Sequence, residues 1–209
     1  MTFASLNKYK NIMKKSIGII GAGNIAKAVA KHFLKAGYPV ILSSRKEPAA
    51  LQNTIELLGK GAIAGTPKEA AQANVVLLAL PWSQLSSLTT LTDWRQKIVI
   101  DATNHFTPEH QLADLNGRAS SEVVADYVPG AYVVKAFNTL YANVLQADPQ
   151  DAGGKRVLFI SGDNVSAKKA IANIIEVLGF SAVDLGSLAI ESKLQQIGGP
   201  LAVLNLIEK

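Results

Sequence analysis

The sequence predicts an α/β protein organised around a doubly wound parallel sheet. Three observations carry that expectation. Short, almost wholly aliphatic runs recur at 16–20, 75–80 and 98–102, as strands covered on both faces require. Segments with helical spacing alternate with them along the chain. The first apolar run ends in a glycine turn, Gly21-Ala22-Gly23, from which a helical pattern starts directly.

Taken in order, residues 16–20 form a buried first strand. From Asn24 onward Ile25, Val29 and Phe33 share one helical face with Ala26, Ala30 and Leu34, and Gly37 stops the helix. Residues 40–44 form a second strand, 51–58 a helix, and 62–65 a short third strand. Pro67 opens a brief helix running to Ala71. Residues 75–80 read as a central strand that Pro81 ends, and 98–102 as the next. The latter delivers Asp101, Thr103 and Asn104 at its carboxyl end. The polar stretch 105–118, with Pro108 and Gly117, reads as a surface loop. A helix over 120–127 leads to a sixth strand at 132–137 and a seventh at 157–161. Asp163 or Asn164 caps a helix whose face is Ala167, Ile171, Ile174 and Leu178. A last strand covers 181–185, and the remainder is expected to be mostly helical, broken at Gly198-Gly199-Pro200. The expected organisation is a flexible basic tail over 1–14 and one domain over 15–209, of which about 140–209 is a smaller C-terminal strand–helix extension.

Composition narrows the function classes. With 48% hydrophobic and 18% charged residues in 209, the chain has material for one sizeable core and is not disordered. No apolar run approaches the ~20 residues of a membrane span. The opening residues are basic and polar, without the apolar centre of a signal peptide, and Met13 offers an alternative start. A cytoplasmic location is expected. The absence of cysteine excludes disulfides, a thiolate nucleophile and a Cys-based metal site, and no metal is expected. The net charge of +5 is scattered, its densest group being Lys8, Lys10, Lys14 and Lys15 in the leading tail, so nucleic acid is not the expected partner.

The glycine turn carries the chemistry. Gly21 permits the tight turn, Gly23 lets the backbone close on a diphosphate, and Ala26 stands where a third glycine often packs helix on strand. Asn24 and Ile25 open a helix whose positive end favours the same anion. Strand, turn and helix in this order are the Rossmann dinucleotide site. An enzyme for the unphosphorylated cofactor places Asp or Glu at the end of the second strand, where it binds the ribose hydroxyls. This chain offers Ser44 and Arg45, a hydroxyl and a charged fork suited to a 2′-phosphate, so the expected cofactor is NADP(H). Lys46 reads as a solvent-facing neighbour. Leu80, Pro81 and Trp82 follow the fourth strand where the nicotinamide half should pass; Trp82 either walls that half or packs on the next helix. Asn104 and Asn138 orient nicotinamide or acceptor by amide hydrogen bonds, or satisfy their own loops. Asp101 reads as a loop cap through backbone N–H groups.

No residue is assigned a catalytic role. No Tyr has a Lys four positions later, and no GxSxG, HExxH or P-loop occurs. His32 reads as a surface residue, and His105, nearest the site, as a solvated loop histidine. Without a proton donor the natural reaction is hydride transfer to a small-molecule acceptor that manages its own protons, as a flavin or deazaflavin ring does.

The segments 21–26, 44–45, 75–82, 98–104, 133–139 and 183–188 resemble the NADPH-dependent coenzyme F420 reductases over nearly the whole chain. The resemblance implies a compact Rossmann protein, generally a homodimer, that passes hydride between NADP and a deazaflavin. It also implies that Ala22, Gly23, Asn24 and Ile25 bind diphosphate, that Ser44 and Arg45 bind the 2′-phosphate, and that Leu80, Pro81 and Ala136 line the nicotinamide half. The run Val134-Lys135-Ala136-Phe137-Asn138 is similar to the cytosolic domain of the six-transmembrane ferrireductases, which implies hydride transfer to FMN or FAD. Two alternatives remain: a reductase of a small carbonyl or imine, and a non-catalytic NADPH-binding redox sensor. The ending Leu201, Ala202, Val203, Leu204, Leu206 and Ile207 is apolar on several faces and is expected to be covered, by a dimer contact, by closure over the site or by the core.

Overall fold

A computed structural model describes residues 16–209. The basic leading segment with Lys8, Lys10, Lys14 and Lys15 lies outside them. The sheet is built from β1 (Ile17–Ile20), β2 (Val40–Ser43), β3 (Ala62–Gly65), β4 (Val75–Leu78), β5 (Ile98–Asp101) and β6 (Tyr132–Lys135), all parallel, in the spatial order β3-β2-β1-β4-β5-β6. Chain order reverses at β1, so the connections leaving the carboxyl ends of β1 and β4 turn to opposite faces of the sheet and leave a crevice between them, where ligands bind in such sheets. Alternation along the strands feeds two cores. Ile17, Ile19, Val75 and Leu77 join one, with Val29 and Phe33; Ile20, Val76 and Leu78 join the other, with Leu88 and Trp94.

The connecting helices are α1 (Asn24–Lys35), α2 (Gln52–Leu58, entered through a 3-10 turn at Pro48–Leu51), α3 (Pro67–Ala70) and α4 (Ser120–Asp126). Thr66 caps α3 reciprocally with Glu69, and Pro67 occupies its first turn. A 3-10 segment, Trp82–Leu88, follows β4.

Beyond β6 lie α5 (Ala142–Gln146), β7 (Gln150–Asp151), β8 (Gly154–Gly162), α6 (Val165–Val177), β9 (Ser181–Gly186), α7 (Ser192–Gln195) and β10 (Ile207–Glu208). β8 runs antiparallel to β6, and β9 runs parallel to β8. Asn164 is the α6 cap, accepting the Ala167 N–H, while Asp163 accepts the Leu188 N–H. β7 and β8 turn on Ala152-Gly153, both at positive φ as a tight hairpin of this hand requires.

Two expectations fail here. The segment after Ser187 is not mostly helical: only the short α7 forms, and the chain then returns as β10 to pair with β8. Pro200 and left-handed backbone at Gly198 and Val203 interrupt the spiral. Nor is His32 a surface residue. It is buried, its Nε2 lies 2.7 Å from the Leu145 carbonyl, and its ring meets Phe180 edge-on, which fixes α1 against α5. Its helical position, one residue before Phe33, turns it toward an element the sequence did not reveal.

Candidate functional site

The glycine turn leaves β1 at the crevice. Gly21 has φ +120°, and a Cβ there would lie 2.0 Å from the Ala79 carbonyl oxygen, so β1 and the end of β4 approach as only glycine allows. Gly23 differs: a Cβ built on it meets no protein atom within 4 Å. Its lack of a side chain clears space for something other than the protein. Gly23 is also the N-cap of α1, with no side-chain cap and no acidic residue in the first turn. The helix end therefore presents backbone N–H groups and positive potential to an open floor.

That floor belongs to a cavity of about 480 Å³. Its walls are Gly21, Ala22, Gly23, Asn24 and Ile25 from the turn, Ser44 and Arg45 after β2, Leu80 and Pro81 after β4, and Asn104 after β5. The structure thus brings ten sequence-predicted residues around one space. Six others complete the lining: Ile20, Ala79, Gln84, Ser87, Ala102 and Thr103. Gln84 and Ser87 share a face of the 3-10 segment, and the only signal for them was their place after Pro81. Ser44 Oγ and the Lys46 backbone bond each other in a local turn that shapes the Arg45 corner, and Arg45 itself makes no ion pair among the described residues. The residues fit a phosphorylated dinucleotide: an open glycine and a bare helix end for the diphosphate, a hydroxyl and a free guanidinium for a further phosphate.

Three predicted residues stand outside this lining. Trp82 is partly buried against the second core, with its ring 5.9 Å from that of His105. Ala136 is fully buried at the end of β6. Asn138 is buried behind Asn104, its Nδ2 donating to Asn104 Oδ1 at 3.3 Å and to the Gln195 carbonyl at 2.7 Å. Phe137, between them, is buried at φ +63°, a left-handed conformation costly for an aromatic residue, and it turns the chain so that Asn138 meets Asn104.

His105 is not solvated. It is buried against Trp82, with Nδ1 unpartnered, and burial together with the nearby Lys135 ammonium holds its pKa below the usual histidine value. Behind the wall lies a group that sequence reasoning missed. Lys135 and Asp101 are neighbours in the β5–β6 register, both wholly buried, with Nζ 3.1 Å from Oδ2. Asp101 Oδ1 accepts the Thr103 N–H and hydroxyl, as a loop cap should, and Oδ2 also accepts from Ser121. Burial alone would raise the Asp101 carboxyl; Lys135 and these hydrogen bonds outweigh it and keep the pKa below the ordinary value. The signal was present as one lysine in an otherwise aliphatic strand.

A sequence profile described as NADP oxidoreductase, coenzyme F420-dependent, matches residues 16–105, the part of the chain that builds the cavity. The structure superposes on a hypothetical protein SMa0349 from Sinorhizobium meliloti with a TM-score of 0.89 and 44% identity, covering 97% of this chain and 100% of that one. Over residues 16–105 the chain is similar to the F420-dependent NADP oxidoreductases. A structure from Arthrobacter sp. FB24, described as a candidate F420-dependent NADP reductase, shares the fold at a TM-score of 0.74 and 24% identity over 83% of this chain and 86% of that one. Metalloreductase STEAP3 of Rattus norvegicus is 32% identical over 90% of this chain, but only 37% of its own length is matched. The chain spans well under half of such curated relatives. Among the described residues no helix is long and apolar enough to cross a membrane, and no group of three or more acidic, His or Cys side chains could hold a metal ion.

Proposed function

We propose that this protein is an NADPH-dependent reductase that passes hydride to a flavin-like acceptor, F420 or a free flavin. The observation that carries this reading is the cavity itself. An open Gly23 at a bare helix end and an unpaired Arg45 beside Ser44 flank one space that runs on to Pro81 and Asn104. The coenzyme bound there would supply a hydride with its electron pair. The chain's own residues bind and orient. The α1 terminus holds the diphosphate, Ser44 and Arg45 the 2′-phosphate, while Leu80 and Pro81 keep water from the nicotinamide end. None of the lining residues is a titratable acid suited to donating a proton, so the acceptor must take its proton from solvent. Ring systems of the flavin type do so.

Stopped-flow oxidation of NADPH with FMN, FAD, riboflavin and F420 tests the reading. Turnover with at least one is expected, and inertness toward all four would refute the acceptor class. We also propose a homodimer, because Val203, Leu204 and Leu206 remain exposed on one short segment. Light scattering that gave a strict monomer would remove that element.

A further inference from the structure

We propose that Lys135 and Gln195 are positioning residues for hydride transfer, acting through Asn104, whose side-chain amide pairs with the carboxamide of the nicotinamide. The inference rests on the function proposed above and deepens it.

Asn104 stands in the cavity wall, half-buried. Its Nδ2 donates to the Asn138 carbonyl at 3.4 Å, and its Oδ1 accepts from Asn138 Nδ2 at 3.3 Å. Each contact uses one of two capacities, so one N–H and one lone pair remain. A donor and an acceptor left on one amide can be complemented by a primary carboxamide, the one such group on a nicotinamide dinucleotide.

Two routes hold Asn104 there, and both start from Lys135. Through its side chain, Lys135 Nζ binds Asp101 Oδ2 and, at 3.3 Å, the Thr103 carbonyl; Asp101 takes the Thr103 N–H and hydroxyl at 2.9 and 2.7 Å. The residue preceding Asn104 is thus gripped at N–H, carbonyl and side chain. Through its main chain, the Lys135 carbonyl accepts from Gln195 Nε2, which also bonds Ser161 Oγ at 3.0 Å. The Gln195 carbonyl in turn accepts from Asn138 Nδ2, and Asn138 holds Asn104. Gln195 and Ser161 both belong to the C-terminal extension, so that extension is fastened to the cavity wall by buried polar bonds. Such bonds specify a single arrangement where apolar packing would permit several. None of these residues reaches the diphosphate or 2′-phosphate grip.

The test uses the full-length protein with two variants that avoid a lone buried charge. One replaces Asp101→Asn together with Lys135→Met. The other is Gln195→Met, which keeps volume and removes the donor. Three readouts are taken: the NADPH dissociation constant, the fluorescence anisotropy of the bound reduced nicotinamide, and the single-turnover rate to FMN or F420 with NADPH deuterated on either face of C4. Both variants are expected to bind NADPH within about twofold of wild type, to lower the bound nicotinamide's anisotropy, and to slow transfer about tenfold or more. Some label should also transfer from the face that wild type does not use. Unchanged rate, anisotropy and face selection would overturn the proposal. So would a loss of affinity and rate in parallel with a lowered melting temperature, the mark of a purely structural role. Should wild type bind NADPH yet reduce no acceptor, the proposed function fails, while the anisotropy comparison still decides whether these residues orient the nicotinamide.

Discussion

The two glycines of the turn separate fold from function, and replacing each by alanine gives opposite outcomes. At Gly21 the new methyl would sit 2.0 Å from the Ala79 carbonyl oxygen and 2.5 Å from its carbon, at a φ of +120°. Neither backbone can yield without breaking the β1–β4 contact, so Gly21→Ala should fold poorly or not at all. At Gly23 the backbone lies at φ −75° and ψ −173°, which alanine adopts freely, and the methyl meets nothing. Loss of glycine's N-cap preference opposes the reduced entropy of the unfolded chain, and each is worth up to about 1 kcal/mol. The melting temperature should therefore move by no more than ~4 °C. A diphosphate drawn against the α1 terminus would, however, be held off by the methyl. Loss of one charge-assisted hydrogen bond costs about 1.5–3 kcal/mol. That is roughly a 10- to 150-fold weaker NADPH affinity. Titration of NADPH fluorescence, with a thermal melt of the same sample, measures both quantities. A Gly23→Ala protein that melts normally and binds NADPH as tightly as wild type would refute the assignment of this floor to the diphosphate.

Other predictions follow from the same geometry. Lys135→Met alone strands the buried Asp101 carboxylate, at a cost of about 3–5 kcal/mol. The melting temperature should drop by roughly 6–20 °C, and less in the paired variant with Asp101→Asn. Ala152 holds a left-handed φ of +46° before Gly153 in the β7–β8 hairpin; Ala152→Asn should raise the melting temperature by about 1–4 °C, because asparagine tolerates that conformation. Burial is the main cause lowering the pKa of both His32 and His105 below the ordinary 6.5. The unfolded chain therefore takes up protons first as pH falls through 6.5, so stability present above that value is lost on acidification. Melts across this range should show the loss, and His32→Gln should reduce it.

What the sequence revealed and what it hid have physical causes. Strands buried on both faces must be aliphatic throughout, so β1, β4 and β5 stood out, and Gly21 to Ile25 followed from the turn they end in. Ser44 and Arg45 could be placed at the cavity from the sequence because the residues just after the second strand hold one fixed position in such a sheet. Two-residue strands such as β7 and β10 have no periodicity of their own and exist only because β8 offers them an edge. The apolar ending suggested helix, yet glycine and proline there gave the chain to that edge instead. His32 and His105 looked solvated because burial of a lone histidine depends on tertiary neighbours, Phe180 and the Leu145 carbonyl for one, Trp82 for the other. Asp101 was read as a loop cap, and it is one, but its pairing with Lys135 needed the β5–β6 register that only the sheet supplies.

In the function proposed above, a hydroxyl and a guanidinium at the end of β2 select the 2′-phosphorylated coenzyme. That selection is measured by the ratio of NADH to NADPH dissociation constants in wild type and in Arg45→Gln. Wild type should prefer NADPH by roughly 10-fold or more, on the worth of a charge-assisted contact. The variant should lose most of that preference while its NADH affinity stays unchanged. Equal affinities in wild type, or a preference that survives the loss of Arg45, would rule out selection by these two side chains.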